Sequence, residues 1–317
     1  MKILKFGGKS LSTPEKVQNI GKYIKNIYKK EKNIIIIVSA IGQTTDTLLS
    51  LARTYSNNQT FSRELDCLLS TGETQSSALM SMTLNSMGVP TKSFQAFQLE
   101  ITTFGAFSNS KITYINKQPI LECFKNEEVV VVSGFQGINK NNEITTLGRG
   151  GSDTTASALG AVFNHDVEIY SDFDGVCSGD PRILNFKKLK SIDYDTMISM
   201  SKSGAKVLDS RATEIAKKFN FNIISKSSTL TQNKGTLITD IEEDIISTSV
   251  IENLCQISIH FTNVERLKFI LNNVILSIKN MKFYNFTVTD EKISFAIKQE
   301  NKSSVLSIIS KKLKLLK

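Results

Sequence analysis

The sequence predicts an α/β protein with a mostly parallel central sheet sandwiched by helices, followed by a small α+β domain. Three observations carry this expectation. The run Asn33 to Val38 is a continuous β-branched stretch typical of a strand buried on both faces, Val129 to Val132 reads as a second core strand, and Val167 to Tyr170 reads as the next strand. Each runs out into glycine or polar residues, and helical periodicity follows nearby. Behind about residue 245 the pattern changes to the closely spaced strands and helices of a separate unit.

Residues 2–6 read as a short buried strand, and Gly7-Gly8 turns the chain after it. Ser12-Thr13-Pro14-Glu15 supplies a capping box with proline in the first turn, and Val17, Ile20, Ile24, Ile27 and Tyr28 repeat at helical spacing. The strand from Asn33 ends at Ser39-Ala40-Ile41-Gly42, before another helix. Ligands of parallel sheets sit beyond the carboxyl ends of the strands, where the Gly7-Gly8 and Ser39–Asp46 turns fall. A long helix is expected over about residues 60–87, with Thr71-Gly72-Glu73 near a helix start and an Ala78, Leu79, Met82 face, closed by Gly88-Val89-Pro90. The strand from Val129 runs into Ser133-Gly134-Phe135-Gln136-Gly137, and a hairpin turning near Asn139–Asn142 leads to Leu147-Gly148-Arg149-Gly150-Gly151-Ser152-Asp153.

The strand from Val167 ends in Ser171-Asp172-Phe173-Asp174-Gly175-Val176, before Asp180-Pro181-Arg182. Five loops are thereby expected on one rim. Two helices follow over about 193–218, with Ser203-Gly204-Ala205-Lys206 opening the second, then strands at Phe221–Ser225 and Gly235–Ile238. The acidic, serine- and threonine-rich segment 240–249 reads as a linker between a domain of residues 1–240 and one of 246–317. The second domain is expected to hold a strand at 254–261, a helix at 263–272, two or three strands between 275 and 298, and a final helix at 301–316.

Composition narrows the function. A hydrophobic fraction of 40% and a charged fraction of 22% are those of a globular chain of 317 residues, not a disordered one. The net charge of +9 asks for an anionic partner, but the lysines are scattered and tryptophan is absent, which favours a nucleotide or acidic metabolite over nucleic acid. Cys67, Cys123, Cys177 and Cys255 form no CxxC pair, so reduced cytosol is the expected compartment. No apolar leader and no membrane-length run is present, and the lysines of the last helix (Lys302, Lys311, Lys312, Lys314, Lys317) read as the solvated face of a docked helix.

The chemistry is expected at Leu147–Asp153. Three glycines in four positions let the backbone approach a ligand, and Ser152 or Asp153 can cap a helix through Ala156, Ala158, Leu159 and Ala161. Free N–H groups at such a helix start bind anions, and Arg149 adds a two-pronged grip on carboxylate or phosphate. Two familiar labels fail. Gly8-Lys9-Ser10 lacks the earlier glycine of a Walker A loop, because Ile3 stands there, and Gly148-x-Gly150 meets Asp153 where a dinucleotide loop needs glycine. Lys5, at the carboxyl end of a core strand, is an odd structural residue and reads as a catalytic or ligand group. His165 and His260 both read as structural, so the usual general base is missing. Phosphoryl transfer to a carboxylate needs none, since the acceptor, with a pKa of about 4, is already ionised. It needs positive charge and bare amides around a polyanion, which this rim supplies. Glu73 is either a first-turn acid favoured by the helix dipole or the partner of a substrate ammonium.

Taken together, Lys5-Phe6-Gly7-Gly8, Val38-Ser39-Ala40 with Thr44-Thr45-Asp46, Thr71-Gly72-Glu73, Gly134-Phe135-Gln136-Gly137, Thr146 to Asp153 and Asp172-Phe173-Asp174-Gly175-Val176 resemble the aspartokinase family, in order, over about residues 1–240. The resemblance implies the amino-acid-kinase fold, ATP and Mg²⁺, and phosphorylation of the L-aspartate β-carboxylate, the first step towards lysine, threonine and methionine. It also implies roles by position. Lys5, Phe6, Gly7 and Gly8 would hold the transferring phosphate, with Lys206 near the nucleotide phosphates. Ser171, Asp172, Cys177, Asp180 and Arg182 would line the nucleotide. Ser39, Thr45, Glu73, Arg149 and Ser152 would hold aspartate, with Glu73 on the ammonium and Arg149 on a carboxylate, while Asp153 would organise the lysines. No residue is assigned as a metal ligand.

Departures from the family pattern carry their own expectations. Lys9 stands where threonine or serine is usual, and Cys177 replaces a common tyrosine. The segment behind residue 245 has room for one ACT-like domain where the family usually carries a pair, and Phe261-Thr262-Asn263-Val264-Glu265 lacks the expected Asp-x-Pro-Gly loop. Weak or absent feedback by lysine or threonine is expected, with the remnant kept as a contact of a homodimer. The alternatives are a kinase for another small amino acid or carboxylate on the same fold, and an inactive regulatory subunit.

Overall fold

The computed structural model describes residues 1–59, 61–179, 186–205, 207–229, 234–240, 247–251, 256–261, 264–278, 284–297 and 301–314. Labels run in chain order. The main sheet holds β1 (Lys2–Phe6), β2 (Ile34–Val38), β3 (Thr91–Phe94), β6 (Val129–Ser133), β9 (Val167–Ser171), β10 (Ser191–Asp193), β11 (Ile223–Ser227) and β12 (Thr236–Thr239). Its order is β10-β12-β11-β9-β1-β2-β6-β3, and every pairing is parallel except β11 with β12. All five residues of β2 are fully buried, as a strand covered on both faces requires.

Helices α1 (Pro14–Tyr28), α2 (Thr44–Tyr55), α3 (Ser62–Ser86), α4 (Gln118–Lys125), α5 (Gly151–Phe163), α6 (Tyr194–Lys202) and α7 (Ser210–Phe219) form the layers around this sheet. Two apolar cores result. Ile20, Ile24, Met80 and Leu84 pack with Leu4, Ile36 and Val131 on one side, and Ala156, Leu159, Met197 and Ala212 pack with Ile3, Ile37 and Ile169 on the other. Thr13 caps α1 by accepting from the Lys16 N–H, with Pro14 in the first turn, as its sequence predicts.

A second sheet, order β5-β4-β7-β8, projects from the main one through β4 (Thr102–Phe104), β5 (Lys111–Tyr114), β7 (Gln136–Ile138) and β8 (Ile144–Thr146). The third sheet is C-terminal, order β13-β14-β16-β15, from β13 (Ser247–Ile251), β14 (Gln256–His260), β15 (Tyr284–Val288) and β16 (Lys292–Ala296), all antiparallel. Helices α8 (Val264–Ile270), continued by a π-helical turn to α9 (Leu276–Ile278), and α10 (Lys302–Lys312) accompany it. Its core takes in Ile257, Phe295, Val305 and Ile309, and also Phe186, which comes from the β9–β10 connection of the large unit. His260 Nδ1 meets Ser199 Oγ of α6 at 2.8 Å across the same boundary.

Several expectations need correction. The segment 240–249 is not only linker, since Ser247 to Ile251, rich in β-formers, pairs as an edge strand. The Leu79 and Met82 face of α3 is exposed; the buried face carries Ser70, Ser77, Met80 and Ser81 instead. Glu73 lies in the middle of α3, so the first-turn acid reading fails. Ser203 to Ala205 lie between α6 and α7, and the second helix starts only at Ser210, capped by Asp209. Of the expected Asp-x-Pro-Gly position, Thr262 and Asn263 lie outside the described residues. Among the described residues no helix is long and apolar enough to cross a membrane.

Candidate active site

The carboxyl ends of β9, β1, β2 and β6 are adjacent, and their loops are stitched together by main-chain hydrogen bonds. Gly7 N–H donates to Tyr170 O (3.1 Å), Ser39 N–H to Phe6 O (3.2 Å), Gly42 N–H to Gly8 O (2.9 Å) and Gly134 N–H to Val38 O (3.0 Å). A Cβ on Gly8 would stand 2.4 Å from Ala40 O, so these turns close only around glycine. Gly148 and Gly150 adopt φ of +75° and +69°, which folds the chain back into α5. The cap of α5 is Gly150, two or three positions before the expected Ser152 or Asp153, which sit inside the first turn instead.

A cleft of about 570 Å³ opens on this rim. Lys5, Gly7, Gly8, Ser39, Thr45, Glu73, Arg149, Ser152 and Asp153 all line it, joined by Lys9 and Asp46. A second cavity of about 490 Å³, between β5 and the α5–α7 pair, is walled mainly by apolar side chains and holds none of these residues.

Inside the cleft the charges are arranged. Lys5 Nζ lies 2.6 Å from Asp153 Oδ1, an ion pair without hydrogen-bond alignment, and both side chains are about nine-tenths buried. Asp153 Oδ2 faces the Asp209 N–H at 3.4 Å. The Arg149 guanidinium is exposed, and no ion pair occupies it among the described residues. Glu73 is 4% exposed, takes the Ala40 N–H on Oε1 at 2.9 Å, and leaves Oε2 without a partner. Burial pushes its carboxyl up to about 7, opposed by that N–H and by the nearby Lys5 charge. A buried carboxylate oxygen with nothing to pair it is costly unless a ligand completes it.

The residues expected to line a nucleotide are less fully gathered. Lys9 pairs with Asp172 at 2.8 Å on the surface, joining the β1 and β9 loops. Ser171 holds its own loop, accepting the Phe173 N–H on Oγ at 3.1 Å. Phe6 contributes backbone only, since its ring is buried and stacked on Tyr170 at 4.8 Å. Cys177 packs against the C-terminal core rather than lining the cleft. Asp180, Arg182 and Lys206 lie outside the described residues. His260 is buried, with its pKa lowered to about 4 by burial and then by Lys292, and neither it nor His165 lines the cleft.

Sequence reasoning missed two supports. Arg211 donates to the carbonyls of Leu147 and Arg149 and pairs with Asp209 at 2.9 Å, while Asp209 fills the space a Cβ on Gly150 would need. Asp66, fully buried on α3, accepts the N–H of Thr146, the residue immediately before that loop. An acid one residue from the Leu65, Leu68, Leu69 stripe was the available signal for Asp66.

A mostly parallel sheet whose carboxyl edge gathers glycine turns, lysine and a helix N-terminus is an anion-binding α/β architecture. The model of the amino acid kinase family matches residues 1–224. An aspartokinase of Corynebacterium glutamicum is 40% identical over 77% of this chain and 58% of its own length. One of Bacillus sp. strain MGA3 is 34% identical over 99% of this chain and 79% of its own. The crystal structure of E. coli aspartokinase III in complex with aspartate and ADP shares the fold, with a TM-score of 0.86 at 16% identity, over 99% of this chain and 100% of that one. The chain belongs to the amino acid kinase family and, within it, to the aspartokinases. It spans less than two thirds of the length of the first curated relatives it matches.

Proposed function

We propose that the chain is an aspartate kinase, transferring the γ-phosphoryl group of ATP to the β-carboxylate of L-aspartate and so opening the route to lysine, threonine and methionine. The observation that carries this reading is the pairing, in one cleft, of an unpartnered buried Glu73 oxygen with an unoccupied Arg149 guanidinium. Such a cleft suits a small molecule with an ammonium and carboxylates. The relatives' names support the same substrate.

The glycine turns and the α5 N-terminus, which line one cleft, suit a nucleotide phosphate. ATP with Mg²⁺ would supply the phosphoryl group and part of the neutralising charge. Such an ion would be carried mainly on the phosphate oxygens. Lys5, held by Asp153, neutralises the group in transfer, and the α5 N-terminus faces the same space. A β-carboxylate oxygen forms its bond to phosphorus as the bond to the ADP oxygen breaks. The acceptor is already ionised, so the absence of histidine from the cleft is no obstacle. Lys206, Asp180 and Arg182 are proposed for the nucleotide from their positions in the family pattern alone.

A cytoplasmic homodimer is proposed as well. Phe269, Leu276, Phe286 and Val288 leave large apolar side chains exposed on the C-terminal domain, which supports a contact between two copies there. The deciding experiment is hydroxylamine trapping of an acyl phosphate with ATP, Mg²⁺ and purified protein. Aspartate is expected to give the hydroxamate, and N-acetylglutamate, which lacks the ammonium, is not. Equal product from both would remove the assigned role of Glu73.

A further inference from the structure

Asp66 on α3 is fully buried, yet among the described residues no basic side chain pairs with it. An uncompensated buried carboxylate is expensive, so its hydrogen bonds must hold it. Four do. Oδ2 accepts the main-chain N–H groups of Ser108 (2.8 Å) and Thr146 (2.6 Å), and Oδ1 accepts their hydroxyls at 2.6 and 2.9 Å. These two residues come from different segments that flank the arginine-bearing loop. Thr146 ends β8, immediately before Leu147. Ser108, at φ +63°, places its carbonyl oxygen 2.8 Å from where a Cβ on Gly148 would stand. Both line the cleft.

Glu73 lies seven residues further along the same helix, two turns on, hence on the same face and about 10 Å away along the axis. One rigid rod thus carries the group proposed for the ammonium and the anchor of the loop that presents Arg149. We propose that Asp66 is a positioning residue that sets the spacing between Glu73 and Arg149, and with it the length of amino acid the cleft accepts. This rests on the aspartate kinase reading for its substrate, but not for its geometry.

The test compares Asp66→Ala and Asp66→Asn with the wild type. Alanine leaves two buried N–H groups without an acceptor. Asparagine can accept both on its carbonyl oxygen while its NH₂ donates to the two hydroxyls. Asp66→Ala is expected to raise KM for aspartate by about 30-fold, leave KM for ATP within about twofold, and lower the preference for aspartate over glutamate. Asp66→Asn should recover most of that loss. Hydrogen exchange of the amides from Leu147 to Gly151, which needs no turnover, should speed up in the alanine variant and not in α1. If alanine fails to fold, Thr146→Val and Ser108→Ala each remove one hydroxyl bond and should each raise KM for aspartate severalfold. Should the wild type phosphorylate a different acceptor, the substrate reading fails, and the same KM split is measured on that acceptor. Unchanged loop exchange, equal rises in both KM values, or an asparagine variant no better than alanine would overturn the proposal.

Discussion

Glu73→Gln keeps the size of a buried side chain, and its Ala40 N–H bond, while removing its ability to ionise. Burial raises the wild-type carboxyl from 4.5 to about 7. The folded chain therefore holds a proton that the unfolded chain gives up near 4.5. The stability tied to this group is complete below that value and is lost as pH rises through about 7. At about 1.36 kcal/mol per unit over roughly 2.5 units, the loss approaches ~3 kcal/mol. Urea unfolding should show the glutamine variant gaining about 3 kcal/mol on the wild type between about pH 4 and about pH 8. Ligand binding runs the other way, because an ammonium selects the ionised carboxylate. Wild-type affinity for aspartate should rise about tenfold from about pH 6 to about pH 8, with uptake of aspartate releasing a proton. In the variant, calorimetry should find weak binding with no such slope. A variant that gains nothing in stability at about pH 8, or that binds aspartate within about threefold of the wild type there, refutes the reasoning.

Lys5→Met should lower kcat by roughly 10²-fold or more in the coupled ADP assay, with Asp153 left unpaired, since a preorganised charge on the transferring group is lost. Gly8→Ala would push a Cβ into the Ala40 carbonyl, and ATP protection against thermal unfolding should disappear while the apo protein still folds. Arg211→Leu should release the Leu147 and Arg149 carbonyls and raise KM for aspartate about tenfold or more, with KM for ATP little changed. Phe186→Ala empties a large side chain from the C-terminal core and should cost about 3 kcal/mol in denaturant unfolding.

Much of this architecture is legible in the sequence because the central strands bury both faces, which the unbroken runs Ile34 to Val38 and Val129 to Val132 announce, although β1 and β9 also bury Lys5 and Glu168. The rim is legible for a related reason: at Gly8, Gly148, Gly150 and Gly151 a Cβ would clash with a neighbouring atom. What escapes reading is whatever depends on long-range partners. Strands β3, β4, β5 and β10 are three or four residues long and have no apolar run, so only their neighbours make them strands. The face of α3 is misread because buried serines share its packing with Leu69, Met80 and Leu84. Ser77 bonds Ser133 of β6 at 2.8 Å and Ser81 bonds Thr91 O at 3.2 Å, so polar side chains lie inside and Leu79 and Met82 outside.

The same substitution of polar for apolar contact explains why the site is built on this helix. A leucine-packed α3 would slide or rotate at small cost, since apolar contacts are not directional. Hydrogen bonds from Thr146 of β8 to Asp66, from Gln136 of β7 to the Ser70 carbonyl (2.6 Å), and between Ser77 and Ser133 of β6 fix its register at three points. Glu73 sits between the second and third of these anchors, where its carboxylate bears the burial cost with the least freedom to escape it. A helix held only by grease would let that acid turn towards water and lose its raised pKa. The polar anchoring and the unpaired carboxylate are therefore one device, and weakening the anchors should bring the Glu73 titration down towards 4.5, which NMR of the side-chain carboxyl can follow directly.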